Sequence, residues 1–216
     1  MFSFDSQIKI HPFKLPDFDE NAIKNEPMLF SCDYKTSRKL GGPITNAFLD
    51  CLPYNILYRK DFIVDSRVHM LKPGWFPCIP GFHHDDVPRS TKNGQPNYVN
   101  PEYESKHIMC LVNGDICPTE FAIGQVELED VKEGEVYYKV WHPIIEEKIK
   151  KGELKSVKAP SNVPILFNNH TFHQGTRAVG NGFRWFIRCS YNTNRPHLNE
   201  LRRQTQVYLE HPMDGW

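Results

Sequence analysis

The chain has 216 residues, with 26 Lys and Arg against 26 Asp and Glu, so its formal charge is zero. That length suits one well-buried domain, 1–216, and is short for two, while the charge balance gives no support for general binding to nucleic acid or to an anionic membrane. No apolar run reaches the roughly 18–20 residues that a bilayer-spanning helix needs. The six cysteines are scattered without a C-x-x-C pair, and the chain opens without a charged, then apolar, leader pattern. A soluble, cytoplasmic protein with free thiols is the expectation. Seventeen prolines, thirteen glycines and 12% aromatic residues suit short strands and many turns, hence a mainly β domain.

Residues 1–30 show no sustained period and predict an N-terminal edge strand with loops over the core. Gly41-Gly42-Pro43, followed by Ile44, Phe48, Leu49 and Leu52, predicts a turn and a short helix that stops before Pro53. From Phe62 to Leu71 the residues alternate, Val64, Val68 and Met70 against Asp65, Arg67 and His69, which predicts a strand. Its polar side either meets solvent or lines a site; for Arg67 and His69 a solvent-facing or structural place is the simpler reading.

The Gly/Pro-rich approach from Pro73 to Gly81, which carries Trp75, then delivers Phe82-His83-His84-Asp85-Asp86. In an extended segment side chains alternate faces, so His83 and Asp85 share one face and His84 and Asp86 the other. Either pair is half of a metal site. The remaining ligand would come from Asn168-Asn169-His170-Thr171-Phe172-His173-Gln174-Gly175. Two histidines and one carboxylate on one side of an ion leave positions open, as Fe(II) oxygenases require. Zn(II) in a hydrolytic site is the competitor, but the zinc-protease pattern H-E-x-x-H is missing. Iron is favoured.

Residues 87–106, with Arg89, are polar and aperiodic; a loop this long directly after metal ligands reads as a lid that closes over substrate. Ile108 to Val112 and Thr119 to Leu128 predict further strands. Pro143 to Gly152 predicts a helix, with Pro at its start, acidic residues early, basic residues late and a closing Gly. Val163 to Phe167 is a short apolar run. From Phe183 to Tyr191, Arg184, Phe186, Arg188 and Ser190 share a face opposite Trp185, Ile187 and Cys189. An iron oxygenase of this kind needs an organic reductant, and 2-oxoglutarate needs a cation for its distal carboxylate, which arginine supplies as a bidentate fork. Two arginines turned inward would imply anions there, because a buried guanidinium without a partner costs several kcal/mol.

His83-x-Asp85, His173-x-Gly175 and Arg184, Arg188 and Ser190 in that order resemble the 2-oxoglutarate/Fe(II)-dependent dioxygenase superfamily, over roughly residues 62–192. The resemblance implies a double-stranded β-helix, or jelly roll, with a few flanking helices and the metal at its mouth. It implies His83, Asp85 and His173 as ligands, Phe82 standing where relatives often carry an aromatic residue before the ligand His. His84 and Asp86 then point away or orient neighbours, and His170 is a loop or supporting residue. In different branches the distal His is followed by an Arg at about eleven or fifteen residues; Arg184 matches the one, and Arg188-Cys189-Ser190 the R-x-S pattern of the other. Cosubstrate binding falls to both arginines, with Ser190, and Thr119 can hydrogen-bond it. Trp75 and Arg89 are the candidate substrate contacts. The intact carboxylate, Asp85, points to hydroxylation rather than halogenation of a small-molecule or peptide substrate. Two rivals stand beside this reading: a cupin-like metalloenzyme that does not use 2-oxoglutarate, and a non-catalytic jelly-roll binding module.

Overall fold

Strands alternate with short helices along the chain, and residues 1–89, 94–99 and 101–209 are described in the computed structural model. In order these are β1 (Phe2–Ser6), β2 (Lys9–Ile10), α1 (Glu20–Asn25), β3 (Leu29–Phe30), α2 (Tyr34–Leu40), α3 (Pro43–Asp50), α4 (Tyr54–Leu57) and β4 (Ile63–Leu71). There follow β5 (Lys106–Val112), β6 (Thr119–Leu128), α5 (Tyr137–Lys150), β7 (Lys155–Lys158), β8 (Ile165–Asn168), β9 (His173–Gly175), β10 (Gly182–Tyr191) and β11 (Glu200–Leu201). One sheet has the order β2-β8-β5-β10-β4; a second has β1-β6-β7, with β9 also pairing β6; β3 and β11 form a small third ladder. Every pair among these strands is antiparallel, and the protein is mainly β.

The alternation in β10 sorts its two faces. Trp185, Ile187 and Cys189 pack into a core with Ile44, Phe48 and Leu49 of α3, while Arg184, Phe186 and Arg188 turn to the opposite face and line a pocket. Met109, Leu111, Ile165 and Phe167 of the larger sheet meet Phe121 of β6, so the two sheets face each other across this cluster. Ala122, Val126 and Leu128, also on β6, pack instead against Trp141 and Ile145 of α5.

Local chemistry accounts for the helices. Asp19 caps α1 by accepting from Ala22 N–H at 2.7 Å, and Asp33 caps α2 by accepting from Thr36 N–H at 2.7 Å. Neither helix is in the sequence expectation, which reads residues 1–30 as strand and loop. α3 begins on Pro43 as expected and has no capping side chain of its own. The buried Glu26 carboxylate serves instead, accepting from the N–H groups of Gly42, Ile44 and Thr45 at 2.8–3.1 Å and from the Thr45 hydroxyl at 2.6 Å. α5 corrects the sequence reading: it starts at Tyr137, and Pro143 stands inside it. Burial of Tyr138, Trp141 and Ile145 carries the helix through a residue that forfeits one of its hydrogen bonds.

All six cysteines are free thiols. Among the described residues no helix is long and apolar enough to cross a membrane.

Candidate metal centre and its pocket

His83 and His173 are brought together by the backbone before their side chains act. His83 N–H donates to His173 C=O at 3.0 Å and His173 N–H to His83 C=O at 3.1 Å, a closed antiparallel pair joining the segment after Gly81 to β9. Two local features hold that segment. Gly81 takes φ +109°, open to glycine at little cost, and Phe82 is buried in the core beneath α5, its N–H donating to His142 Nδ1 at 3.1 Å. Gly175 has a different reason to be glycine. A Cβ there would stand 2.6 Å from Cys78 Sγ and 3.1 Å from Pro77, so β9 could not lie this close to the approach segment.

Both rings are oriented alike. His83 Nδ1–H donates to Gly81 C=O at 2.7 Å and His173 Nδ1–H to Thr171 C=O at 2.9 Å. A carbonyl can only accept, so Nδ1 carries the proton in each ring and Nε2 presents its lone pair. These lone pairs converge on one carboxylate: His83 Nε2 lies 3.9 Å from Asp85 Oδ1, and His173 Nε2 lies 3.1 Å from Oδ2. The three donors fall within 4.8 Å of one another, a set able to hold a divalent ion. Adjacent donors at about 2.0–2.2 Å from one ion stand roughly 3 Å apart, so only a small closure is needed. Burial, reinforced by His173, pushes the His83 imidazole down to about 4, which keeps it neutral. Burial alone would raise the Asp85 carboxyl, but Arg188 and His173 prevail and hold it well below the usual carboxylate range.

The pocket floor follows from strand register. On β4 and β10, His69 stands opposite Arg184, Arg67 opposite Phe186 and Asp65 opposite Arg188. All six line one pocket together with His83, Asp85 and His173. Asp65 and His69 are buried, Arg67 is half-buried, and all three line the pocket, which corrects the simpler sequence reading. The two arginines differ. Arg188 Nη1 is ion-paired with Asp85. Arg184, 2% exposed, donates through Nη2 to Thr119 Oγ1 at 3.3 Å, leaves Nε without a partner and meets no carboxylate among the described residues. The inner chamber measures about 190 Å³ and opens into an outer mouth of about 470 Å³ that shares His83 and Asp85.

The other sequence candidates lie elsewhere. His84 turns to the opposite face, its ring 3.9 Å from that of Phe172 and its Nδ1 2.9 Å from Tyr98 Oη. Asp86 accepts from Tyr103 Oη at 3.4 Å, and His170 packs near Phe4 and His84, away from the triad. The Ser190 hydroxyl is engaged by His107 Nδ1 at 2.8 Å and does not line the pocket. Trp75 packs near Leu71, Cys117 and Ala178, outside the pocket. Exposed Arg89 donates to Gly94 C=O at 3.0 Å and also stands off the pocket. Of the expected lid, residues 90–93 and 100 lie outside the described residues. Sequence reasoning missed Arg195 and Arg202, which fold back to Asp65 at 2.8 and 3.5 Å; their irregular tail carries no periodic signal.

The buried imidazoles set a pH dependence for the metal-free protein. His83 is pushed down to about 4, and His69, through burial and then Arg184 and Arg67, to about 3. In the unfolded chain a histidine titrates near about 6.5. Between these values the unfolded chain binds protons that the folded one refuses, so stability falls as pH falls from about 6.5 toward 4. The slope is up to roughly 1.4 kcal/mol per pH unit for each such histidine. Asp85 adds little above about pH 5, since its lowered value costs stability only as pH nears and passes below the ordinary 3.8. Urea midpoints at pH 7, 6 and 5 are expected to drop steadily, and a flat series would contradict buried neutral rings.

No family model matches the sequence, and no curated protein matches it. Among solved structures, HygX from Streptomyces hygroscopicus with iron bound aligns at a TM-score of 0.42 and 12% identity, covering 88% of this chain and 83% of that one. An N-substituted L-amino acid dioxygenase from Burkholderia ambifaria AMMD aligns at 0.38 and 11%, covering 86% and 80%. The structure of such a dioxygenase in complex with alpha-KG, also from that organism, aligns at 0.33 and 12%, covering 74% and 65%.

Proposed function

We propose that the protein is an Fe(II)- and 2-oxoglutarate-dependent dioxygenase that hydroxylates a small-molecule or peptide substrate, its two facing sheets forming a double-stranded β-helix. One observation carries this reading: a two-histidine, one-carboxylate set and a buried guanidinium without a carboxylate partner share one pocket. The distal carboxylate of 2-oxoglutarate is the partner that this guanidinium lacks.

His83 and His173 would hold the ion through Nε2, each ring fixed by its Nδ1–H bond to a backbone carbonyl. Asp85 would give it one oxygen and keep the other on Arg188, whose ion pair fixes the carboxylate's orientation. Arg184 would take the distal carboxylate of 2-oxoglutarate, with the Thr119 hydroxyl beside it; Arg188 is already engaged by Asp85. Iron and 2-oxoglutarate, when bound, supply oxygen activation and the oxidising power for C–H hydroxylation, with succinate and carbon dioxide released. Met109, Phe167 and Phe186 wall the inner chamber and limit water there.

The test is anaerobic addition of 2-oxoglutarate to the Fe(II)-loaded protein, watched for the visible charge-transfer band of the chelated cosubstrate. The band is the expected result. Metal binding without a band would turn the reading to a cupin-like metalloenzyme, and no metal binding would remove the centre itself.

A further inference from the structure

Resting on that reading of the site, we propose that the substrate is itself an organic oxyanion, a carboxylate or phosphate monoester, whose acid group is taken by Arg67 between the inner chamber and the outer mouth. Arg67 lines both spaces, and among the described residues no hydrogen bond or ion pair engages it. Its neighbour across the ladder is Phe186, which offers no charge.

Three further observations point the same way. Among the described residues the pocket and its mouth hold five arginines, Arg67, Arg184, Arg188, Arg195 and Arg202, against two carboxylates, Asp65 and Asp85. A divalent ion and a dianionic cosubstrate would cancel each other, so among the described residues three positive charges are left over with both in place. These cations press on one another. Burial, then the charge of Arg67, works against the charge of Arg202, whose Nε has no partner, and Arg184 also lies within the field of Arg67. An anion seated between them relieves that repulsion. Finally, His69 is 2% exposed and lines the same spaces between Arg184 and Arg67. The Pro77 carbonyl is near enough to act on its charge, yet neither ring nitrogen completes a hydrogen bond. Neutral at working pH, that ring keeps one N–H to offer an acceptor.

The experiment uses the Zn(II)-substituted protein saturated with 2-oxoglutarate, which cannot turn over. Saturation-transfer NMR would screen small carboxylic acids, phosphate monoesters and the primary amides matched to the acids. Binders are expected among the acids or the phosphates and not among the amides, and which class predominates identifies the oxyanion. Arg67→Gln is expected to weaken them ten- to hundred-fold, the loss of a charge-assisted fork, while 2-oxoglutarate, anchored on Arg184, is expected to lose several-fold less than they do. Arg67→Lys, which keeps the charge and loses the fork, is expected to fall between, and guards against a Gln variant that fails to fold. Amides binding as well as acids, hits that survive Arg67→Gln, or an empty screen would each overturn the proposal. If 2-oxoglutarate itself does not bind, the cofactor reading fails separately, and the same screen on the Zn(II) protein alone still tests the anion site.

Discussion

Arg184→Met is expected to move two quantities in opposite directions. The guanidinium is 2% exposed, its Nε lacks a partner, and the polar contact it makes is with the Thr119 hydroxyl. Burial works against its charge, and the neighbouring charge of Arg67 adds to that. Without an anion, this residue is a desolvated cation with little return, and replacing such a group by an apolar side chain of similar volume is often neutral or stabilising by roughly 1–4 kcal/mol. The cofactor-free variant should therefore unfold at the same urea concentration as the wild type or a higher one. Its affinity for 2-oxoglutarate should fall by about thirty-fold to several thousand-fold, because truncating one partner of a buried charge pair costs roughly 2–5 kcal/mol. A purely structural arginine would show the reverse, lost stability with unchanged affinity. Anaerobic titration of the charge-transfer band, paired with equilibrium unfolding, separates the two.

His173→Ala is expected to lower Fe(II) affinity more than about a hundred-fold, beyond the roughly 10–100-fold that follows from disturbing a ligand's supporting hydrogen bond. The variant removes one of three converging donors and leaves Asp85 to its ion pair with Arg188. Some stability goes with it, since the ring lies 5.3 Å from that of Phe167 and 5.8 Å from that of Phe121. His84→Ala supplies the contrast. Its ring packs in the aromatic cluster of Phe172, Phe4 and Tyr98, so that variant should lose stability and keep its metal within a few-fold. Equilibrium dialysis against Fe(II) under argon measures both. Equal loss of metal in the two variants would mean that the alternating faces of 83–86 have been assigned wrongly.

The contrast between His83 and His84 shows how far the sequence goes by itself. Period-two alternation puts His83 with Asp85 and His84 with Asp86, because successive side chains of an extended segment point to opposite faces. The same rule separates Arg184, Phe186 and Arg188 from Trp185, Ile187 and Cys189, and Asp65, Arg67 and His69 from Val64 and Val68. The start of α3 on Pro43 was legible for a similarly local reason, a fixed φ and a missing N–H that a first helical turn tolerates.

Alternation yields two faces without saying which is inside, and that was left to the fold. Only the antiparallel register of β4 on β10 sets His69 beside Arg184 and Arg67 beside Phe186, turning what reads as a solvent-facing polar stripe into a pocket floor. Arg184 and Arg188 share chemistry, strand and face; they diverge because Asp85, far away in sequence, arrives within reach of one and not the other. The N-terminal limit of α5 was hidden because packing of Tyr138 and Trp141 outweighs the cost of Pro143. Arg195 and Arg202 come from a tail without periodicity and reach Asp65 only when the chain closes on itself. Local geometry follows from neighbouring residues and short-range sterics. Which charges end up buried together depends on contacts between distant segments, and those were decided by the packing of the two sheets.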